Sequence, residues 1–147
     1  MNLSMTKLFK LIPFIFLLIA CTTSAEVSIS DAWVRENAPG QKVGAAYMTL
    51  KSPQKSKLVY VEAKSAAESV EIHSMSMNNG IMKMRMLEAL PLEPNESVTL
   101  KPGSFHLMMF DLKQPLKAGD NIEFRLCFED ENGKITDQII TLPVKSQ

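Results

Sequence analysis

From residue 27 onward the sequence changes character every few residues: short runs of alternating apolar and polar side chains are cut by turn-forming residues. Candidate strands fall at 27–35, 44–51, 57–64, 70–77, 81–87, 97–100, 105–112, 121–128 and 134–142. Between them stand Ala38-Pro39-Gly40, Asn78-Asn79-Gly80, Pro102-Gly103, Ala118-Gly119-Asp120 and Asn132-Gly133. Proline presets φ, while Gly and Asn accept left-handed φ, so each cluster can reverse the chain. In 121–128, Ile122, Phe124, Leu126 and Phe128 alternate with Glu123, Arg125 and Cys127, the pattern of a strand with one buried face and one wet face. Segment 63–71 has room for a short helical turn, but strand patterns flank it. Strands at this density, with no sustained helical period, predict an all-β fold, a sandwich or a barrel. A chain of 147 residues has room for one such domain, and no internal repeat or second domain interrupts it.

Residues 1–25 stand apart. The first ten carry Lys7 and Lys10 and no acid, and residues 11–20 are almost purely apolar, broken only by Pro13. A basic start followed by a short apolar core is a secretory signal; a spanning helix needs about 20 apolar residues. The expected division is a signal segment at 1–20 and a single β-sandwich domain at 26–147. Two cleavage points fit. Leu18-Ile19-Ala20-Cys21 has the form of a bacterial lipobox, which would leave Cys21 lipidated and the domain anchored to a membrane. Thr23-Ser24-Ala25 fits an ordinary cut after residue 25, which would leave a free protein. Either cut predicts an exported, periplasmic location.

Cleavage at either point removes two of the 16 basic residues and none of the 16 acidic ones, leaving a net charge of −2. With no basic stripe to track phosphates, nucleic acid is not an expected partner. Of the two cysteines, Cys21 belongs to the export signal, so Cys127 has no partner for a disulfide within the domain.

Methionine is distributed unevenly. Eight of the ten methionines lie in the domain, and seven of those fall between residues 75 and 109, near the only two histidines. Each histidine has a methionine two places on: His73-Ser74-Met75 and His106-Leu107-Met108. Residues two apart on a strand share a face, so His73, Met75 and Met77 project together. Asn79-Gly80 signals a two-residue hairpin that would pair Met77 with Met82, Met75 with Met84 and His73 with Met86. A turn at Asn78-Asn79 would instead pair His73 with Met84 and Met75 with Met82. Both registers put six His and Met side chains on one face, with Lys83 and Arg85 on the other. Thioether sulfur is soft and selects Cu(I), and neutral imidazole is compatible with it; Zn²⁺ favours thiolate or carboxylate, and Ca²⁺ and Mg²⁺ want oxygen. Methionine also fills cores, and for Met48 and Met109 core packing is the expected role.

These motifs resemble the periplasmic copper chaperones called PCuAC. Their signature is a histidine, ten residues, a methionine, twenty-one residues, a histidine, one residue and a methionine; His73, Met84, His106 and Met108 fit it without adjustment. The resemblance extends to Asp31-Ala32-Trp33-Val34-Arg35, Ala45-Ala46-Tyr47, Gly80-Ile81-Met82-Lys83-Met84-Arg85 and Lys101-Pro102-Gly103-Ser104-Phe105-His106-Leu107-Met108, and so spans nearly the whole domain. It implies a cupredoxin-like Greek-key β-sandwich with a near-surface Cu(I) site at His73, Met84, His106 and Met108. Met75, on the face of Met84, is the expected auxiliary. It also implies a carrier that supplies copper to an acceptor protein such as the dinuclear copper centre of cytochrome c oxidase; a monomer is the expected state. The lipobox and Cys127 depart from the family pattern.

Other classes fare less well. A blue-copper electron carrier needs a Cys ligand with a His close downstream, and no histidine follows Cys127. No Ser-His-Asp set or paired catalytic acids suggest an enzyme. Copper storage or resistance would use the same binding chemistry, and a metal-free interaction module is the remaining alternative.

Overall fold

A computed structural model describes residues 26–146. The signal segment, Cys21 and both expected cleavage points lie outside the described residues. Ten strands form: β1 (Ser28–Arg35), β2 (Val43–Lys51), β3 (Ser56–Glu62), β4 (Ala67–Asn78), β5 (Ile81–Leu87), β6 (Leu90–Leu92), β7 (Ser97–Leu100), β8 (His106–Leu112), β9 (Asn121–Asp130) and β10 (Ile135–Lys145). No helix occurs among the described residues. The nine expected runs are all present, with ends displaced by no more than three residues. Segment 63–71 holds only a single turn, in which the Ala67 N–H donates to the Ala63 carbonyl at 2.9 Å before β4 begins.

The sheet order is β5-β4-β8-β2-β1-β10-β9-β3-β6, with β7 beside the second half of β2. All pairings are antiparallel except one: β1 lies parallel to β10, with Val34 beside Val144 and Arg35 beside Lys145. That pair joins two layers, β5-β4-β8-β2-β1 and β10-β9-β3-β6. A single cluster of buried side chains fills the space they share, drawing Ala46, Met48, Leu50, Leu107 and Met109 from one layer and Leu58, Phe124, Leu126 and Leu142 from the other. Each fully buried side chain of this size contributes about 1.5–3 kcal/mol of transfer free energy. Met48 and Met109 are core residues, as their positions predicted.

Alternation then decides what faces out. On β8, Leu107 and Met109 point into the core, so His106, Met108 and Phe110 occupy the outer face. Gly44 on β2 sits opposite Met109, and a Cβ there would meet Leu116 Cδ1 at 3.0 Å. Glycine therefore lets Leu112 and Leu116 close over the end of β2. Asn37 ties the loop after β1 to the same spot: its side-chain oxygen accepts from the Leu116 N–H at 2.6 Å, and its own N–H donates to the Leu116 carbonyl at 3.2 Å.

Candidate metal centre

The β4–β5 hairpin turns on Asn79 (φ 51°) and Gly80 (φ 75°), the two consecutive left-handed residues that a tight hairpin with the native strand twist requires. This sets the register. Met77 pairs with Met82, Met75 with Met84 and His73 with Met86, so the alternative turn at Asn78-Asn79 is not the one formed. All six side chains share the outer face, and Met82, Met84 and Met86 stand largely exposed on the edge strand.

On its other side β4 pairs with β8, and there His73 lies directly opposite His106, with Glu71 opposite Met108. The two imidazole rings have centroids 5.8 Å apart, tilted by 38°. Phe110 closes the far side, its ring 6.1 Å from that of His73. Both histidines are buried, at 9% and 5% exposure. Two histidines remote in sequence have thus become cross-strand neighbours.

Their hydrogen bonds assign a tautomer to each. His106 Nδ1 lies 2.9 Å from the Ser104 carbonyl, which can only accept, so Nδ1 carries a proton and, in the neutral ring, Nε2 keeps its lone pair. His73 is the mirror case: Nε2 donates to Glu71 Oε2 at 2.8 Å, which in the neutral ring leaves the lone pair on Nδ1. That Nδ1 is buried with no hydrogen-bond partner. An orphaned buried acceptor is uncommon in native proteins and calls for an explanation such as a bound ion. A carboxylate or carbonyl holding the far nitrogen is also the usual support of a metal-binding imidazole.

A cleft of about 410 Å³ opens beside the pair, lined by His106, Met108, Met75, Met84 and Tyr47, and walled by the pinned loop after β1. The expected residues do not all meet on equal terms. Met84, His106, Met108 and the auxiliary Met75 share the cleft; His73 joins through His106 rather than by lining it. Trp33 packs against Tyr47 of the cleft wall, ring centroids 4.7 Å apart and tilted by 40°. Among the described residues no three His, Cys, Asp or Glu side chains gather as a metal-holding group; the two imidazoles and three thioethers are the nitrogen and sulfur donors that meet here.

Sequence reasoning missed Glu71, the Ser104 carbonyl and the aromatic neighbours. Glu71 was within reach, because it sits two residues before His73 and so shares its face. Cys127 corrects an expectation in part. It is on the outer face of β9, but that face is not wet there: the residue is 7% exposed, between Tyr60 on β3 and Asp137 on β10. Burial, helped by a hydrogen bond to Asp137, pushes its pKa up to about 11. In strand order β2, β1 and β10 separate it from β8, so it takes no part in the histidine cluster.

Fold and site together define a small β-sandwich protein that carries paired imidazoles and thioethers on one outer sheet face. The chain belongs to the family described as "Putative lipoprotein LpqE-like", which matches residues 27–144. A Leifsonia xyli protein, "Putative lipoprotein Lxx21020", is 33% identical over 106 residues, covering 71% of this chain and 63% of its own. An uncharacterized protein of Rickettsia prowazekii is 30% identical over 118 residues, covering 77% and 65%. The chain therefore spans a little under two thirds of the length of these curated relatives. Among solved structures, the copper-bound PCuAC domain from PmoF2 superposes with a TM-score of 0.66 at 21% identity, covering 84% of this chain and 97% of that domain. The CuI form of DR1885 from Deinococcus radiodurans gives 0.61 at 29% identity, covering 86% and 83%. The cupredoxin-like fold expected from the sequence is the fold observed.

Proposed function

We propose that this protein is an exported Cu(I) carrier that binds one ion on the outer face of β4, β5 and β8 and releases it to an acceptor protein. Its ligands are His73 through Nδ1, His106 through Nε2, and the sulfurs of Met84 and Met108, with Met75 able to substitute for Met84. The observation that carries this reading is the histidine pair: two buried imidazoles side by side, each with one ring nitrogen held by a hydrogen bond and His73 Nδ1 left without a partner, next to a cleft lined by His106 and three thioethers. Neutral nitrogen and soft sulfur suit Cu(I), and no thiolate is needed. Copper-bound relatives of the same fold support it.

A site on a sheet face beside an edge strand can be approached by another protein's ligands before its own let go. Ligand exchange of that kind moves a metal without freeing it into solution. This favours a carrier over a store, and the copper domain of cytochrome c oxidase is the acceptor class that the PCuAC likeness suggests. Export follows from the signal-like residues 1–20, and the lipobox at Cys21, with lipoprotein-named relatives, favours a lipid anchor.

Anaerobic Cu(I) titration should give a tight first equivalent, with X-ray absorption showing nitrogen and sulfur neighbours but no short thiolate bond. Mixing the loaded protein with an apo oxidase copper domain should then move the metal. Failure to hold Cu(I) against a moderate chelator refutes the site; retention of copper in the presence of the acceptor refutes the carrier role.

A further inference from the structure

Three methionines lie outside the proposed ligand set yet on its face: Met77, Met82 and Met86, at 66%, 57% and 58% exposure. Core packing cannot account for them, because their side chains are mostly in solvent. Nor does their strand simply tolerate apolar residues. An edge strand is ordinarily guarded by charge, and β5 carries that guard, Lys83 and Arg85, on its opposite face. One strand thus presents charge on one side and only thioethers on the other. Met77 and Met82 are direct cross-strand partners, and Met75 and Met84 form the next pair inward. Directly paired Cβ atoms lie about 4.5–5.5 Å apart and diagonal ones about 7–8 Å. Unbranched side chains with three rotatable bonds can bring three sulfurs to one point across that span.

We propose that the outer half of this hairpin is a second metal subsite, built from the thioethers of Met77, Met82 and Met75 alone, for a soft monovalent cation such as Cu(I) or Ag(I). Its donors are neutral, so it offers no charge to a hard divalent ion and no oxygen to replace that ion's water. It contains no imidazole and binds no proton in the neutral range, so it is weaker than the histidine site and insensitive to mild acid. The row continues inward through Met84 to Met86, which pairs with His73, and so joins the outer sulfurs to the site of the proposed function. This inference extends that reading, since the subsite is where an ion would first arrive or last leave. Met77 and Met82 are donors of its own, while Met75 also lines the cleft of the histidine site.

The test is titration of the protein with Ag(I), and anaerobically with Cu(I), followed by the methyl signals of ¹³C-methyl methionine and the ring signals of the two histidines. In the parent, the first equivalent should move the histidine, Met84 and Met108 signals, and the second should move Met77 and Met82. Met77→Leu/Met82→Leu changes only exposed side chains; it should lose the second equivalent and keep the first. The second-equivalent shifts should be the same at pH 7.5 and pH 5.5. Saturation of the parent at one equivalent, or two equivalents retained by the double variant, overturns the proposal. In a His106→Ala variant, with folding checked by its amide spectrum, the Met77 and Met82 shifts should persist. Their loss there would make the outer sulfurs part of the histidine site, and the subsite alone would fall. Should the histidine rings stay silent while Met77 and Met82 respond, the subsite stands and the histidine ligand set falls.

Discussion

Glu71 offers a direct check on the reading of the histidine pair, because it touches His73 without being a proposed ligand. Its carboxylate accepts from Nε2 at 2.8 Å and so keeps the bare nitrogen of His73 at Nδ1. Removing it frees the proton to move to Nδ1 and lets the ring turn. Supports of this kind are worth 10–100-fold in metal affinity. The Glu71 side chain is 37% exposed, so water weakens its pull, and the lower end applies. Glu71→Ala should therefore weaken Cu(I) binding about tenfold, or about 1.4 kcal/mol. Glu71→Gln keeps an acceptor of the same reach but loses the charge. Neutral hydrogen bonds are about half as strong as charge-assisted ones, so its loss should be roughly threefold. Competition against a chromophoric Cu(I) chelator under argon measures both. Glu68→Ala, on the same strand but paired with Lys113, serves as the control and should match the parent. If Glu71→Ala binds Cu(I) as tightly as Glu68→Ala, His73 does not ligate through Nδ1 and the tautomer argument is wrong.

Other expectations can be checked alongside. Met84→Leu conserves volume, and such swaps cost less than about 1.5 kcal/mol of stability; Cu(I) binding should weaken without vanishing, because Met75 lines the same cleft. If Met84→Leu and Met108→Leu both retain parental affinity while Met82→Leu does not, the sulfur assignment is wrong. Cys127, with its pKa near 11, should resist alkylation at pH 8, where only about one thiol in a thousand is ionised; rapid labelling of the folded protein would contradict its burial. The same raised pKa means that the folded state holds a proton which the unfolded thiol loses near pH 9. This contribution to stability is complete below that value and should fade as pH rises towards 11, as denaturant midpoints can show. Phe124→Ala, at a fully buried centre of the core, should cost about 3–5 kcal/mol and lower Tm by roughly 10 °C or more; a smaller change would mean that the two layers close over the cavity.

What the sequence disclosed and what it withheld divide along the range of the interactions. The β4–β5 register was legible to within two choices because a two-residue turn fixes it locally: once the turn is Asn79-Gly80 rather than Asn78-Asn79, every pair down the hairpin follows. The faces of β8 and β9 were legible because period-two alternation needs no knowledge of neighbours. The position of His106 opposite His73 was not, since it depends on β8 lying against β4, a pairing between strands remote in sequence. The strand β6 escaped notice because it is three residues long with Pro91 at its centre. Proline cannot donate to a ladder, yet it fits here because β6 is an edge with only β3 beside it. Cys127 shows the limit of alternation itself. The pattern tells which side a residue faces, and only the neighbouring strands tell what covers that side.

The parallel seam between β1 and β10 has a consequence in time. Val34 must wait beside an empty lane until Val144 has been made and delivered, so the two layers cannot be joined while the chain is still emerging. Pairings so distant along the chain form slowly, because the long intervening loop must be ordered before the contact returns anything. A nascent chain of this design is held back from early closure by its own topology. On the proposed export route that delay is an asset: the polypeptide stays threadable while it crosses the membrane, and the seam shuts only once the last strand has reached the side where copper is handled.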